Sequence, residues 1–290
     1  MEEFLLQLSS GLASGAIYAS LALALVMIYQ STHNINFAQG EMATFSTFLA
    51  WSLMELGLSY WVAFLCTIAI AFVGGFAVQR IFLKPVEKAS SLTNVIVFIA
   101  LMLIFNGLSG WLFGYTVKPF PSPFPTDSLL QSRYLSSHQI GSIGAVLIVM
   151  AILFTFLRFT SIGLALRGAA TNPDSARLVG IRVSWALALG WGMAAAIGSV
   201  AGMMIAPTVY LDPSMMSGVL LYGFAGALVG GISNPWGAVV GGFAVGVLEN
   251  LLGAFVIGTD LKLTVALVLI VGTLTLKPNG LFGKVVVARV

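Results

Sequence analysis

Glu249 and Glu41 stand where a carboxylate is least comfortable. Glu249, followed by Asn250, lies within the apolar run Gly237–Ile257, and Glu41 closes a polar group with Asn34, Asn36 and Gln39 between two apolar runs. Charge is costly to place in an apolar medium, so an ionisable residue in such a run is a functional candidate by default. The chemistry on offer is recognition rather than bond making. Glu249 could line a translocation path or pair with a base across a subunit interface; its plainer role is a partly hydrated position near the outer interface. Asn36, Gln39 and Glu41 could contact a solute or simply cap a helix at a break in the chain.

Other chemistries lack their residues. The two histidines, His33 and His138, lie in separate loops, so no His-rich metal site is expected. Cys66 is alone in mid-run, which excludes an intramolecular disulfide and leaves it as a small buried hydrophobe. There is no Gly-x-x-x-x-Gly-Lys-Ser/Thr loop to cradle phosphates, and no Gly-x-Ser-x-Gly, His-Glu-x-x-His or cysteine cluster. The chain is expected not to be an enzyme and to carry no cofactor of its own. Any energy the chain uses must come from a partner, or from an ion gradient.

The stretch Gly163–Arg182 reads as a handle. Asn172 suits an N-cap, Pro173 the first helical position, and Asp174 the positive end of the helix dipole. Gly180 supplies the left-handed residue that stops the helix. Between them Ala176 and Val179 are apolar, while Asp174, Ser175 and Arg177 are polar. Such a helix either lies on lipid headgroups or docks in a groove of a cytoplasmic partner.

These groups must be carried by elements that live in lipid. Of 290 residues 59% are hydrophobic and 8% charged, against the roughly 25% charged residues of a soluble domain. A membrane helix needs about 20 apolar residues. Such runs cover Leu6–Tyr29, Ala43–Met54, Tyr60–Val78, Leu92–Phe113, Gly141–Leu157, Val183–Ala206, Gly218–Ile232, Gly237–Ile257 and Leu261–Leu276, the second being short. The expected fold is therefore all-α: a polytopic helical membrane protein with about 8–9 transmembrane segments and broken or re-entrant helices, in one transmembrane domain over residues 1–290.

Basic residues mark the cytoplasmic side. Arg80, Lys84 and Lys88, then Arg158, Arg167, Arg177 and Arg182, then Lys277, Lys284 and Arg289 make up 10 of the 13 Lys and Arg. The proline-rich loop 114–139, with Pro119, Pro121, Pro123 and Pro125, then faces outward, as does the Glu2–Glu3 terminus if Ala43–Met54 crosses. A re-entrant second segment would reverse the terminus. Met-Glu-Glu lacks the basic start of a signal peptide, so the first run is retained. Asp212-Pro213, in an outer loop, could meet an external partner or form a turn.

Two segments interrupt the runs: Ser31–Glu41 and Gly230–Gly237. Discontinuous helices at corresponding positions of two repeats are a transporter device. Glycines four apart (Gly11/Gly15, Gly198/Gly202, Gly226/Gly230, Gly237/Gly241, Gly242/Gly246) predict close helix packing.

Gly163-Leu-Ala-Leu-Arg-Gly-Ala-Ala-Thr-Asn-Pro-Asp-Ser-Ala-Arg-Leu-Val-Gly-Ile-Arg-Val183 resembles the coupling-loop signature of branched-chain amino-acid ABC transporter permeases. The run Gly11–Leu25 and the box Asn36-Phe-Ala-Gln-Gly-Glu41 resemble the H-type subunit of that family, and Lys277-Pro-Asn-Gly-Leu-Phe-Gly283 is similar to its C-terminal signature. Gln39 stands where that box often has His, and Thr171-Asn172 where the loop more commonly carries Gln. The resemblance implies a multi-pass subunit of the bacterial cytoplasmic (inner) membrane. Its implied partners are a second permease subunit, two cytoplasmic ATPase subunits and a periplasmic or extracellular substrate-binding protein, with no nucleic acid. By motif, coupling to the ATPase falls on Arg167, Asn172, Pro173, Asp174, Ala176, Arg177, Leu178 and Gly180; the candidates for the path, from their polarity within apolar runs, are Asn36, Gln39, Glu41, Glu249 and Asn250. The implied cargo is a branched-chain or related amino acid; relatives also serve urea or amides. The alternative is an ion-gradient-driven secondary transporter working through Glu249.

Overall fold

The computed structural model describes residues 1–32, 34–86, 89–124 and 135–283; His33, Lys88, Pro125, Lys284 and Arg289, named above, lie outside them. The described residues form α1 (Glu2–Thr32), α2 (Gln39–Glu55), α3 (Tyr60–Val78), α4 (Ser91–Phe113), α5 (Ser137–Phe159), α6 (Ser161–Thr171), α7 (Pro173–Leu178), α8 (Val183–Val209), α9 (Met215–Gly230), α10 (Pro235–Leu252) and α11 (Lys262–Leu276). Wider π-turns, Gln79–Leu83 and Gly253–Ile257, prolong α3 and α10.

Among the described residues, seven helices are long and apolar enough to cross a membrane, which corrects the expected eight or nine. The two that fall short are α2 and α9, with 17 and 16 residues. At about 1.5 Å per residue each covers about 25 Å, less than the roughly 30 Å hydrocarbon core.

The chain gathers into two compact units. One comprises Met1–Val26, Phe124–Gly144 and Gly218–Val290. Here Gly11, Gly15 and Ala19 of α1 lie against Gly242 and Gly246 of α10, so closely that a Cβ on Gly11 would sit 2.8 Å from the Val247 Cα. Gly226 and Gly230 of α9 meet Gly237, Gly241 and Gly242 of α10 in the same way. In lipid no hydrophobic force pushes helices together, so backbone-to-backbone packing has to do it. Residues 277–283 fold onto the α9–α10 turn: the Leu281 and Phe282 N–H groups donate to the Val229 and Gly230 carbonyls at 2.8 and 3.0 Å. Those carbonyls end α9 and have no helical partner of their own. Gly280 adopts φ +74° to make the approach, backbone against the Gly231 backbone.

The other unit comprises Met27–Pro123 and Ala145–Ser217, built around the buried α8. α3 runs antiparallel to α8, with Phe76 on Trp185 and Gly75 against Trp191 and Ala195. α2 packs along the second half of α8, where Gly198 and Gly202 leave room for Gln39 and Thr47. α6 and α7 clamp onto the beginning of α8 through Ala169, Ala176, Val183, Ala186 and Leu187. Residues 79–86 and 158–182 thus meet at one end of this unit, Arg80 stacking on Trp185 at 4.6 Å. At α8's other end Lys118 and Leu211 exchange two backbone hydrogen bonds of 2.9 Å, which lays the proline-rich segment down.

The two interruptions differ. Gln39 reaches the Ala194 carbonyl, near the middle of α8, so α2 starts at mid-span depth. The second break, by contrast, packs against the residues that follow α11.

Candidate functional site

Asn172 caps α7 through its side-chain oxygen, which accepts from the Ser175 N–H at 3.0 Å, and Pro173 fills the first helical position. The other end is closed by the Ile181 N–H on the Ala176 carbonyl and the Gly180 N–H on the Arg177 carbonyl, at 3.0 and 3.1 Å, with Gly180 at φ +84°. That pair of bonds is the Schellman arrangement, open to glycine because a Cβ is disfavoured there. Ala176 is turned inward, while Leu178 and Val179 are 89% and 77% exposed. Arg177 donates to Asp174 at 2.8 Å, one turn away on the exposed side. Arg167 is exposed on α6, and the Thr171 hydroxyl donates to its carbonyl at 2.8 Å. The handle is thus rigid, tied to α8 from within, and offers an apolar pair with a charged neighbour outward.

Asn36, Gln39 and Glu41 are all buried, but only Asn36 and Gln39 are within hydrogen-bond reach of one another. The Asn36 side-chain oxygen accepts from the Ala38 N–H at 3.0 Å, shaping the entry to α2, and Gln39 donates to the Ala194 carbonyl at 2.9 Å. Both side chains brace the half-span helix. Glu41 behaves differently: its two oxygens accept from Asn106 of α4 and Ser217 of α9, each at 3.2 Å, and Asn106 also donates to the Pro213 carbonyl at 3.0 Å. No cation pairs with Glu41 among the described residues. Asp212 forms a turn, its carboxylate accepting from the Ser214 N–H at 2.7 Å.

Glu249 and Asn250 form a second group, in the other unit. Tyr18 donates to Glu249 Oε2 at 3.1 Å, and Lys262 Nζ lies 3.6 Å from Glu249 Oε1 and 3.2 Å from the Asn250 side-chain oxygen. Tyr222 stacks on Tyr18, centroids 4.8 Å apart. Gly253, in the π-turn, makes room for Lys262: a Cβ there would sit 2.7 Å from its Cγ. π-turns of this kind often sit at functional positions.

Sequence reasoning missed Tyr18, Asn106, Ser217 and Lys262. For Lys262 a signal existed, since it is one of only three basic residues outside the three basic stretches and opens a span 13 positions from Glu249. The others are ordinary residues of apolar helices whose roles depend on contacts 65 to 231 positions away. Among the described residues no group of three or more His, Cys, Asp or Glu could hold a metal ion.

Residues 7–274 match the family described as "Branched-chain amino acid transport system / permease component". Over 302 residues the chain is 28% identical to the high-affinity branched-chain amino acid transport system permease protein LivH of Salmonella typhimurium, covering 99% of this chain and 98% of that protein. Its identity is 27% to LivH of Escherichia coli K12 and 26% to the permease protein BraD of Pseudomonas aeruginosa, with the same coverage. Among solved structures, PsaBC from Streptococcus pneumoniae in complex with Fab aligns over 93% of this chain and 91% of that one, with TM-score 0.46 and 14% identity.

Proposed function

We propose, from the premise that this chain belongs to the branched-chain amino acid transport system permease family, that it is the H-type membrane subunit of an ATP-driven importer of branched-chain or related amino acids. Its place is the bacterial cytoplasmic membrane. A second, different permease subunit completes the path, two cytoplasmic ATPase subunits supply the energy, and an external binding protein delivers and largely selects the solute. The chain needs no cofactor for this, because ATP is hydrolysed by its partners.

The observation that carries the reading is the capped α7 with Leu178 and Val179 outward and Ala176 inward. A free amphipathic helix would slide on a partner. This one is locked at both caps and packed through Ala176 onto α8, so a push on α7 moves the beginning of α8. α8 in turn is in contact with α2 and α3 along much of its length. Closing ATPases would therefore rock the spans between inward- and outward-open forms. Glu41 and Glu249 are the candidates for the polar lining of the path.

The ion-coupled alternative leans on Glu249 as a free carboxylate. Lys262 compensates its charge, which leaves that alternative without its main support.

The test is Arg177→Glu combined with Gly180→Val in the purified transporter. It should lose most of its ATPase subunits while membrane insertion is unchanged. Normal retention together with normal uptake would remove the handle from coupling.

A further inference from the structure

The end of the second unit where α6, α8 and the extension of α3 meet contains a cleft of about 340 Å³. Its walls are Ile162 and Leu166 of α6, Ile181, and Trp185 and Leu189 of α8, with Arg182 at the rim. The volume falls in the range of small-molecule sites, roughly 300–1,000 Å³. Trp185 also carries a guanidinium on its ring: Arg80 lies 4.6 Å from the indole centroid and 5.7 Å from that of Phe76. Neither Arg80 nor Arg182 has a carboxylate partner among the described residues.

The level of this cleft narrows its occupant. Trp185 is the third residue of a candidate membrane-span helix, and Arg80 lies in the last turns of another, Tyr60–Val86; in a membrane subunit both ends fall near the headgroup region. Nearby, Ile162 and Leu164 of α6 are 49% and 64% exposed, apolar surface that water would not favour. Arg158 stacks on Phe154 and Phe159 at the end of α5, each at 5.7 Å. Aromatic rings and arginines at a span end, around an apolar slot, match the two halves of a phospholipid. The rings and slot suit the glycerol and acyl region, and guanidiniums with no carboxylate partner among the described residues suit a phosphate.

We propose that the α6–α8 cleft holds an anionic phospholipid, with its headgroup facing Arg182 and Arg80 and an acyl chain along Ile162, Leu166 and Leu189. The lipid sits at the root of the α6–α7 handle and stiffens it against α8. The membrane depth rests on the permease reading, but lipid occupancy does not require the ATPase contact.

The experiment is native mass spectrometry of the complete transporter, delipidated and then titrated with phosphatidylglycerol or phosphatidylethanolamine. The expected result is at least fivefold preference for phosphatidylglycerol, lost in R80Q/R182Q and kept in R80K/R182K, which controls for folding. Millimolar inorganic phosphate should not displace the lipid. Equal retention of both lipids, or unchanged phosphatidylglycerol retention in R80Q/R182Q, overturns the proposal. Full displacement by inorganic phosphate does the same, because it would mean a bare anion site. So does loss of the ATPase subunits from lipid-free R80Q/R182Q, which would make this face a protein interface. If R177E/G180V keeps its ATPases while the lipid preference holds, the coupling reading fails and the lipid site stands.

Discussion

At the scale of single residues, the two membrane carboxylates solve the same problem in different ways. Glu249 is neutralised by Lys262 and hydrogen-bonded by Tyr18, whereas Glu41 has only the neutral donors Asn106 and Ser217 among the described residues. Removing one partner of a buried ion pair leaves the other uncompensated, at a cost of about 3–5 kcal/mol when both are fully enclosed. Lys262 is partly exposed, so Lys262→Met should destabilise by about 2 kcal/mol, read as a lower midpoint of thermal unfolding in detergent. Adding Glu249→Gln should recover at least half of that loss, because the stranded charge disappears. If the double variant is no better than the single one, charge compensation is not what Lys262 provides. Glu41 has no such counter-charge among the described residues, so its charge rests on neutral donors alone.

At the scale of elements, glycine decides how the helices meet. All five pairs spaced by four lie at helix contacts: Gly11/Gly15, Gly226/Gly230, Gly237/Gly241 and Gly242/Gly246 in one unit, and Gly198/Gly202 against α2 in the other. At Gly246 an added Cβ would run into the Gly15 backbone, so α1 and α10 would have to part. Gly246→Val should cost about 3 kcal/mol, the upper end for overpacking a well-filled interface. Gly272 faces open space, and Gly272→Ala should be neutral or stabilising by about 0.5 kcal/mol. Yield of folded protein by fluorescence size-exclusion chromatography separates the two; similar profiles would show that these glycines are background.

At the scale of the whole chain, the half-span α2 bears on which side of the membrane each terminus occupies. It starts beside Ala194 and runs alongside α8 past Gly202, so the irregular residues 34–38 lie at depth and the chain leaves α2 at the Leu211 end of α8. With residues 79–86 cytoplasmic, α3 must then begin outside. Cysteines placed at Glu3 and at Ser59 should both react with an impermeant maleimide added to intact cells, and one at Arg177 should not. Labelling of Ser59→Cys without Glu3→Cys would mean that α1 and α2 together do not carry the chain across and back.

Composition and periodicity alone established a helical membrane protein, because a chain 59% hydrophobic and 8% charged has too little polar surface to face water. Local rules also placed the handle: Asn172, Pro173, Asp174 and Gly180 each act within a few residues of themselves, so their meaning is written in order along the chain. Span number was harder to read: α9 is apolar like the long spans and α2 is short and partly polar, and only the backbone shows where each begins and ends. What tertiary structure decided were the partners of the buried polar groups. A carboxylate's position in an apolar run announces that it needs a donor, but the donor comes from whichever helix packs beside it. Tyr18 for Glu249, and Asn106 with Ser217 for Glu41, are such cases, where the pairing is a property of packing and not of sequence spacing.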